Sequence, residues 1–129
     1  MNFGLASHLG GGTVAVVGTT EVDLWTIIDG ALLINPQINV YYANTLGTHT
    51  SLEFKYYARF AVGGAWFELP YRAEATGVIA SQPSTANAST PLSFIDSLPM
   101  PACLALKGTV KGVAGAGGSS TATVMGRDN

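Results

Sequence analysis

One stretch of the sequence, residues 51–72, limits most strongly what this chain can fold into. From Leu52 to Phe60 every second residue is apolar, and mostly polar or charged residues fall between them. This period of two is typical of a β-strand with one buried and one exposed face. Gly63 and Gly64 can adopt the positive φ angles of a hairpin turn, and the aromatic segment 66–72 follows as a returning strand. The sequence therefore predicts a β-hairpin around this glycine pair.

Short segments with the composition of strands recur on both sides of this hairpin. The segment 21–28 also fits one face of a helix, but its β-branched residues and the following Asp29-Gly30 turn favour a strand. A closing hairpin is predicted to pair 102–113 with 119–126. Further strands are predicted at 13–19, 31–35, 37–43 and 73–80, and residues 92–98 are predicted to form one short apolar element. About eight short strands separated by turn residues indicate an all-β fold, an antiparallel β-sandwich or jelly roll.

The domain organisation predicted from the sequence is simple. A chain of 129 residues is long enough for one domain with a substantial core. Residues 1–12 end in three glycines and are predicted to form a flexible arm, followed by a single domain over 13–126. Residues 81–91 contain no large apolar side chain and are predicted to be a surface loop, and residues 127–129 a polar tail.

The composition narrows the classes of function. Charged residues make up only 11% of the chain, against roughly a quarter in an average globular domain. Such a weakly charged surface suits burial in an oligomer or a larger assembly. The six basic residues are dispersed and the net charge is −2, which argues against nucleic-acid binding. No apolar run approaches the roughly 20 residues that span a bilayer, so we expect no membrane partner.

No residue pattern points to a reaction or a cofactor. His8 and His49 are predicted to be exposed loop histidines, because neither has a cysteine or carboxylate at ligand spacing. The single cysteine, Cys103, lies in an apolar segment where a buried thiol is inert, and it cannot form an intrachain disulfide. The glycine-rich run 115–118 lacks the lysine and the helix of a phosphate-binding loop. We expect neither an enzyme nor a metal site.

The carboxylates of the central hairpin have a simpler explanation than catalysis. Glu53 and Glu68 lie on facing strands, as the paired carboxylates of a glycosidase would. Both fall on the polar face beside Lys55 and Arg59, so cross-strand charge pairing accounts for them. No catalytic residue is predicted.

The order of these elements resembles a family of proteins. A strand with the letters LWTI is followed by the corner NVYYANTLG, an alternating strand with a Gly-Gly reversal, a Leu-Lys-Gly segment and a closing Thr-Ala-Thr-Val strand. From Val22 to Gly126 this pattern resembles small β-sandwich virion proteins of tailed bacteriophages, of the capsid decoration (cement) type. The resemblance implies a non-enzymatic role on the capsid surface after synthesis in the host cytoplasm. It also implies a homo-oligomer, with a trimer as the expected form, and a major capsid protein or other virion protein as partner.

The expected contacts lie mostly outside the central hairpin. We predict that the arm, the loop at 81–91 and the tail carry them, together with two aromatic residues that face away from the core. The predicted interface residues are Phe3, Leu5, His8, Tyr57, Trp66, Gln82, Asn87 and Arg127. Two other interpretations remain open: a tail, neck or fibre-associated phage protein, and a carbohydrate-binding module in which Tyr57 and Trp66 stack on a glycan.

Overall fold

The computed structural model of this chain describes residues 7–33, 36–75, 89–90 and 92–128. These residues form nine β-strands and contain no helix. In chain order the strands are β1 (Ser7–Val16), β2 (Val22–Leu33), β3 (Pro36–Thr45), β4 (Ser51–Arg59), β5 (Trp66–Ala75), β6 (Ser89–Thr90), β7 (Ser93–Pro99), β8 (Cys103–Val113) and β9 (Gly118–Asp128).

The strands form two sheets. The four-stranded sheet has the order β1-β9-β3-β7, and the five-stranded sheet has the order β2-β8-β4-β5-β6. All pairings are antiparallel except that of the two-residue β6, which runs parallel to β5. The chain passes repeatedly from one sheet to the other, so neighbours in a sheet are mostly distant in sequence. This arrangement is the double-sheet jelly roll, and the predicted all-β sandwich is confirmed.

The core lies between the two sheets. In β4 the alternation seen in the sequence is realised, because Leu52, Phe54, Tyr56 and Ala58 are all completely buried. Phe60 departs from the predicted pattern: it lies beyond the end of β4 and is 48% exposed. The four-stranded sheet contributes further buried side chains to the same core, among them Ile38, Val40, Tyr42, Ala122 and Val124.

The predicted closing hairpin is wrong. β8 pairs with β2 and β4, whereas β9 pairs with β1 and β3, so the two strands belong to different sheets. The connection between them contains positive φ angles at Ala114, Gly115 and Gly117, and it leads from one sheet to the other. The sequence pattern is compatible with either arrangement, because alternation defines a buried face and not the partner strand.

The predicted flexible arm also needs correction, because residues 7–12 belong to β1. There the three glycines pair with β9, Gly11 lying opposite Thr123 and Gly12 opposite Ala122. At Gly12 the backbone approaches β2 so closely that a Cβ atom would overlap the carbonyl oxygen of Leu24. Glycine here permits close packing of two strands, which explains its presence in a strand. The first six residues of the predicted arm lie outside the described residues.

Three smaller boundaries differ from the sequence prediction. β2 continues through Asp29-Gly30, where a turn was predicted, with a shift in register between Ile28 and Leu33. β9 includes Arg127 and Asp128, so the predicted tail is largely strand. Most of the predicted loop at 81–91 lies outside the described residues, but Ser89–Thr90 forms β6.

Candidate interaction surfaces

The outward face of the five-stranded sheet is charged. Apart from Asp96, every charged residue whose side chain is described lies on this sheet or, in the case of Glu21, just before β2. Lys55 on β4 is the centre of the network, with its Nζ 3.2 Å from Glu68 Oε1 and 3.8 Å from Glu21 Oε1. The predicted cross-strand charge pairing of Glu68 is therefore present. A hydrogen bond from Lys55 is the main reason that the pKa of Glu68 is lowered.

Two aromatic residues predicted to face away from the core lie on this charged face. The Tyr57 hydroxyl donates a hydrogen bond to Glu21 Oε2 at 2.5 Å. The Trp66 ring is half-buried and has two cations near it, with Arg59 Cζ 4.9 Å and Lys107 Nζ 5.0 Å from the ring centroid. Lys107 also lies 5.3 Å from the centroid of Tyr57. Both rings are thus part of a network of cations and aromatic residues within the chain.

The turn between β4 and β5 forms an exposed apolar tip, which we define as residues 60–67. No charged residue occurs between Arg59 and Glu68. Phe60 is 48%, Val62 89% and Phe67 57% exposed, and the two phenylalanine rings contact each other with centroids 5.8 Å apart. Gly63 has a φ of 69°, which allows the predicted reversal.

The outward face of the four-stranded sheet is entirely different, and we call it the neutral face. None of its described outward-pointing side chains is charged. It consists of hydroxyl, amide and apolar groups: Gly11, Thr13 and Ala15 of β1; Ser119, Thr121, Thr123 and Met125 of β9; Gln37, Asn39, Tyr41, Ala43 and Thr45 of β3; and Ser93, Ile95, Ser97 and Pro99 of β7. The face extends across all four strands of the sheet.

The middle of the neutral face is its most apolar part. Ile95 on β7 lies opposite Tyr41 on β3, and Tyr41 lies opposite Thr123 on β9, so the three residues form one row across the sheet. Ile95 is 56% and Tyr41 41% exposed. Around this row the hydroxyl groups bond to one another across strands, as in the 2.7 Å contact between Thr45 Oγ1 and Ser119 Oγ.

A chain of buried polar groups joins the two sheets inside the core. The Tyr56 hydroxyl of β4 donates a hydrogen bond to Asp96 Oδ2 of β7 at 2.6 Å. The Tyr42 hydroxyl of β3 lies 2.8 Å from the Tyr56 hydroxyl oxygen. Tyr56 has only one hydroxyl proton, so Tyr42 is the donor in the second bond. Burial raises the pKa of the Asp96 carboxyl, and the bond from Tyr56 lowers it by a smaller amount. The network is enclosed, so it serves the structure and offers no access to a substrate.

His49 is not the exposed loop histidine that the sequence predicts. Only 4% of the residue is exposed. Its Nε2 lies 2.7 Å from the carbonyl oxygen of Val16, and its Nδ1 contacts the carbonyl oxygen of Ala114. A side chain at Gly112 would overlap the imidazole ring, so that glycine leaves room for it. His49 therefore ties the end of β1 to the connection that follows β8.

The described residues contain no candidate metal site. No group of three or more His, Cys, Asp or Glu side chains among them is placed so that it could hold a metal ion. Cys103 is buried, as predicted. The small cleft formed by Glu53, Lys55, Arg72 and Glu74 lies within the charge network of the five-stranded sheet and holds about 40 Å³. In the described part of the chain, no helix is long and apolar enough to cross a bilayer.

The structure separates the residues predicted to form the interface. Tyr57 and Trp66 lie together on the charged face, whereas His8 and Arg127 lie in β1 and β9 of the other sheet. Phe3, Leu5, Gln82 and Asn87 lie outside the described residues. Arg127 belongs to the end of β9.

Sequence reasoning missed Tyr41, Thr123 and Ile95, the central row of the neutral face. Tyr41 and Thr123 belong to predicted strands and Ile95 to a predicted short apolar element, but the prediction paired β9 with β8 and left the segment of β7 without a partner. One signal was present: β1, β3 and most of β9 come from stretches without any Asp, Glu, Lys or Arg, namely 1–20, 30–52 and 112–126. If strands from these stretches shared a sheet, most of its outer face would be uncharged.

Comparison with known proteins adds little to this description. No protein-family model matches the sequence, and no curated protein matches it. Among solved structures, a TNF structure described as "Structure of Eiger TNF from S. frugiperda" aligns with 94% of this chain and 90% of its own, at 14% identity and a TM-score of 0.42. The assignment of the fold given above rests on the strand order of this chain and not on that neighbour.

Proposed function

We propose that this chain is a non-enzymatic structural subunit of a virion, a capsid decoration protein that stabilises a phage head by bridging capsomers. The observation that supports the proposal is the neutral face. A surface that extends across four strands and whose described outward-pointing side chains are uncharged suits contact with another protein, because charged residues are depleted at the centres of interfaces. The same surface suits a solitary protein poorly, since dispersed surface charge is what keeps such proteins apart in solution.

In this role the protein acts through burial of surface and not through a reaction. A rigid jelly roll seated across a joint between capsomers adds contacts that must be broken before the capsomers separate. The sandwich is suited to this because its two sheets are joined by a buried hydrogen-bonded chain, Tyr42–Tyr56–Asp96. Rigid partners lose little conformational entropy on association, which leaves more of the interface energy for binding.

The test begins with the genes that flank the coding sequence. We expect one of the flanking genes to encode a major capsid protein. The purified chain should then sediment with capsids assembled from that protein and raise the temperature at which these capsids disassemble. Binding should saturate at a fixed number of copies per capsomer. If the flanking genes encode tail proteins and the chain does not sediment with capsids, the decoration role is contradicted and a role in the tail, neck or fibre is favoured.

A carbohydrate-binding module is the second candidate, because Tyr57 and Trp66 both point outward on neighbouring strands. Arg59 and Lys107 lie near the Trp66 ring, so a sugar that stacks there has to displace or share these cations. Titration with a glycan panel tests this role. Binding by the wild type that is lost in Trp66→Ala supports it, and no binding by the wild type contradicts it.

A further inference from the structure

The neutral face raises the question of which surface covers it. A partner surface with charged groups would lose water from them on contact and find no opposite charge in return, which is costly. The charged face of this same chain is excluded for that reason, since it would bring Lys55 and Glu68 into the contact. The partner surface must therefore be uncharged as well.

A second copy of this chain provides such a surface in its own neutral face. Serine and threonine hydroxyls each donate and accept hydrogen bonds, so a face rich in them is chemically complementary to itself. The apolar row at its centre, with Tyr41 and Ile95 partly exposed, supplies the kind of aromatic and aliphatic anchor on which interfaces depend. We propose that two copies of this chain pack their neutral faces against each other about a two-fold axis near Tyr41.

The four-stranded sheet that carries the neutral face is large enough for this contact. Its strands lie about 4.8 Å apart and span Ser7–Val16, Pro36–Thr45, Ser93–Pro99 and Gly118–Asp128, so the whole sheet covers roughly 600 Å². Two such faces bury roughly 1,200 Å² in total, which is the lower end of the range for specific protein interfaces. The apolar tip offers less, because it consists of the exposed parts of Phe60, Val62 and Phe67, and a whole phenylalanine buries at most about 250 Å². The tip alone is too small for a stable pair.

A two-fold pair also differs from the trimer implied by the resemblance to decoration proteins. A flat surface that packs on the identical surface of another copy closes after two copies, because each copy uses the same patch. The inference rests on the proposed function of a structural subunit: it assigns the neutral face to the contact between two copies and leaves the other surfaces of the pair to the capsomers. The two proposals can fail independently, because the pairing is tested by the mass of the chain in solution and the proposed function by sedimentation with capsids.

The experiment measures the mass of the full chain in solution by light scattering and sedimentation over a range of concentrations. For the wild type we expect twice the 13.3 kDa of one chain. Ile95→Asp places one negative charge on each of two apposed faces, and we expect the pair to dissociate at least about 100-fold more readily, because like charges at an interface cost several kcal/mol. Thr123→Lys, in the same row on another strand, is a second variant with the same expected result.

Val62→Asp is the matched control, because it exchanges an apolar residue for the same carboxylate at the exposed tip. Its mass should equal that of the wild type. Circular dichroism and the urea midpoint establish that each variant is folded. A monomeric wild type, a trimeric mass, folded Ile95→Asp and Thr123→Lys variants that both remain paired, or dissociation by Val62→Asp would each overturn the inference. In the last case the tip is the contact, and the proposed function is still open to its own test.

Discussion

The two sheets of this jelly roll meet in one core but present opposite surfaces to solvent. The five-stranded sheet carries a network of ion pairs around Lys55, and the four-stranded sheet carries hydroxyl, amide and apolar groups. Both direct one face of their strands into the shared core and the other to solvent. The difference therefore lies in the exposed positions alone, which are free of the demands of the core and can be adapted to a partner. Among the described side chains, the charged groups that face solvent are concentrated on one side of the sandwich.

The largest expected effect on stability comes from the buried hydrogen bonds of Tyr56, which join the two sheets. In Tyr56→Phe the Asp96 carboxyl loses its donor, and Tyr42 loses its acceptor, while the ring volume is retained. We expect the free energy of unfolding to fall by about 2–3 kcal/mol, because a buried acceptor is left unpaired. Urea unfolding followed by fluorescence measures the loss.

Tyr42→Phe is the control for this variant, because it removes one bond and leaves the contact between Tyr56 and Asp96 intact. Its cost should be near 1 kcal/mol. Equal losses in the two variants would mean that Tyr56 does not mediate between Asp96 and Tyr42, and the idea of a connected polar chain between the sheets would be wrong.

The next effect is a pH dependence with opposite signs on the two sheets. Burial raises the pKa of Asp96 above its ordinary 3.8, so its contribution to stability is present in full below that pH and is lost as the pH rises through the raised pKa. Lys55 lowers the pKa of Glu68 below 4.5, so the contribution of Glu68 is present above that pH and is lost as the pH falls through the lowered pKa.

Two variants separate these contributions. Relative to the wild type, Asp96→Asn should gain stability as the pH rises from 3.8, because it lacks the ionisation that opposes folding. Glu68→Gln should lose its disadvantage as the pH falls below 4.5. Urea midpoints measured from pH 3 to neutrality test both. If the stability of the two variants relative to the wild type changed in the same direction with pH, the assignment would be contradicted.

The smallest effect distinguishes the two outer faces by their response to salt. Lys55→Gln removes the partly exposed pairs with Glu21 and Glu68, and we expect a loss of about 0.2–1 kcal/mol at low ionic strength that shrinks at about 1 M salt. Thr121→Val on the neutral face removes a hydroxyl pair with Thr13 and no charge, so its small effect should not change with salt. If the effect of Thr121→Val on stability did change with salt, charges other than those of the described side chains would have to act on the neutral face.

The sequence predicts the strands of this protein better than it predicts their partners. The alternation at 52–58 identified the buried face of β4 correctly, because burial of one face imposes a period of two wherever the strand lies. The assignment of β8 and β9 to one hairpin failed, since nearness in sequence suggests pairing but a jelly roll sends these two strands to different sheets.

The surfaces were harder to predict for the same reason. Tyr57 and Trp66 were correctly placed away from the core, because they lie on a local hairpin whose pairing is short-range. The row Ile95–Tyr41–Thr123 joins residues up to 82 positions apart (123 − 41), and only the topology brings them together. His49 was misjudged because its partners, Val16 and Ala114, are backbone carbonyls, which leave no trace in the identities of the residues.

The pairing of β1 with β9 also determines when the neutral face comes into being during synthesis. β9 lies between β1 and β3, so residues 7–16 and 36–45 have no common neighbour until residues 118–128 have left the ribosome. Until then the uncharged edges of β1 and β3 are exposed to other nascent chains. The sheet therefore cannot assemble before β9 is available, and the surface that we expect to bind a second copy is completed together with the fold itself.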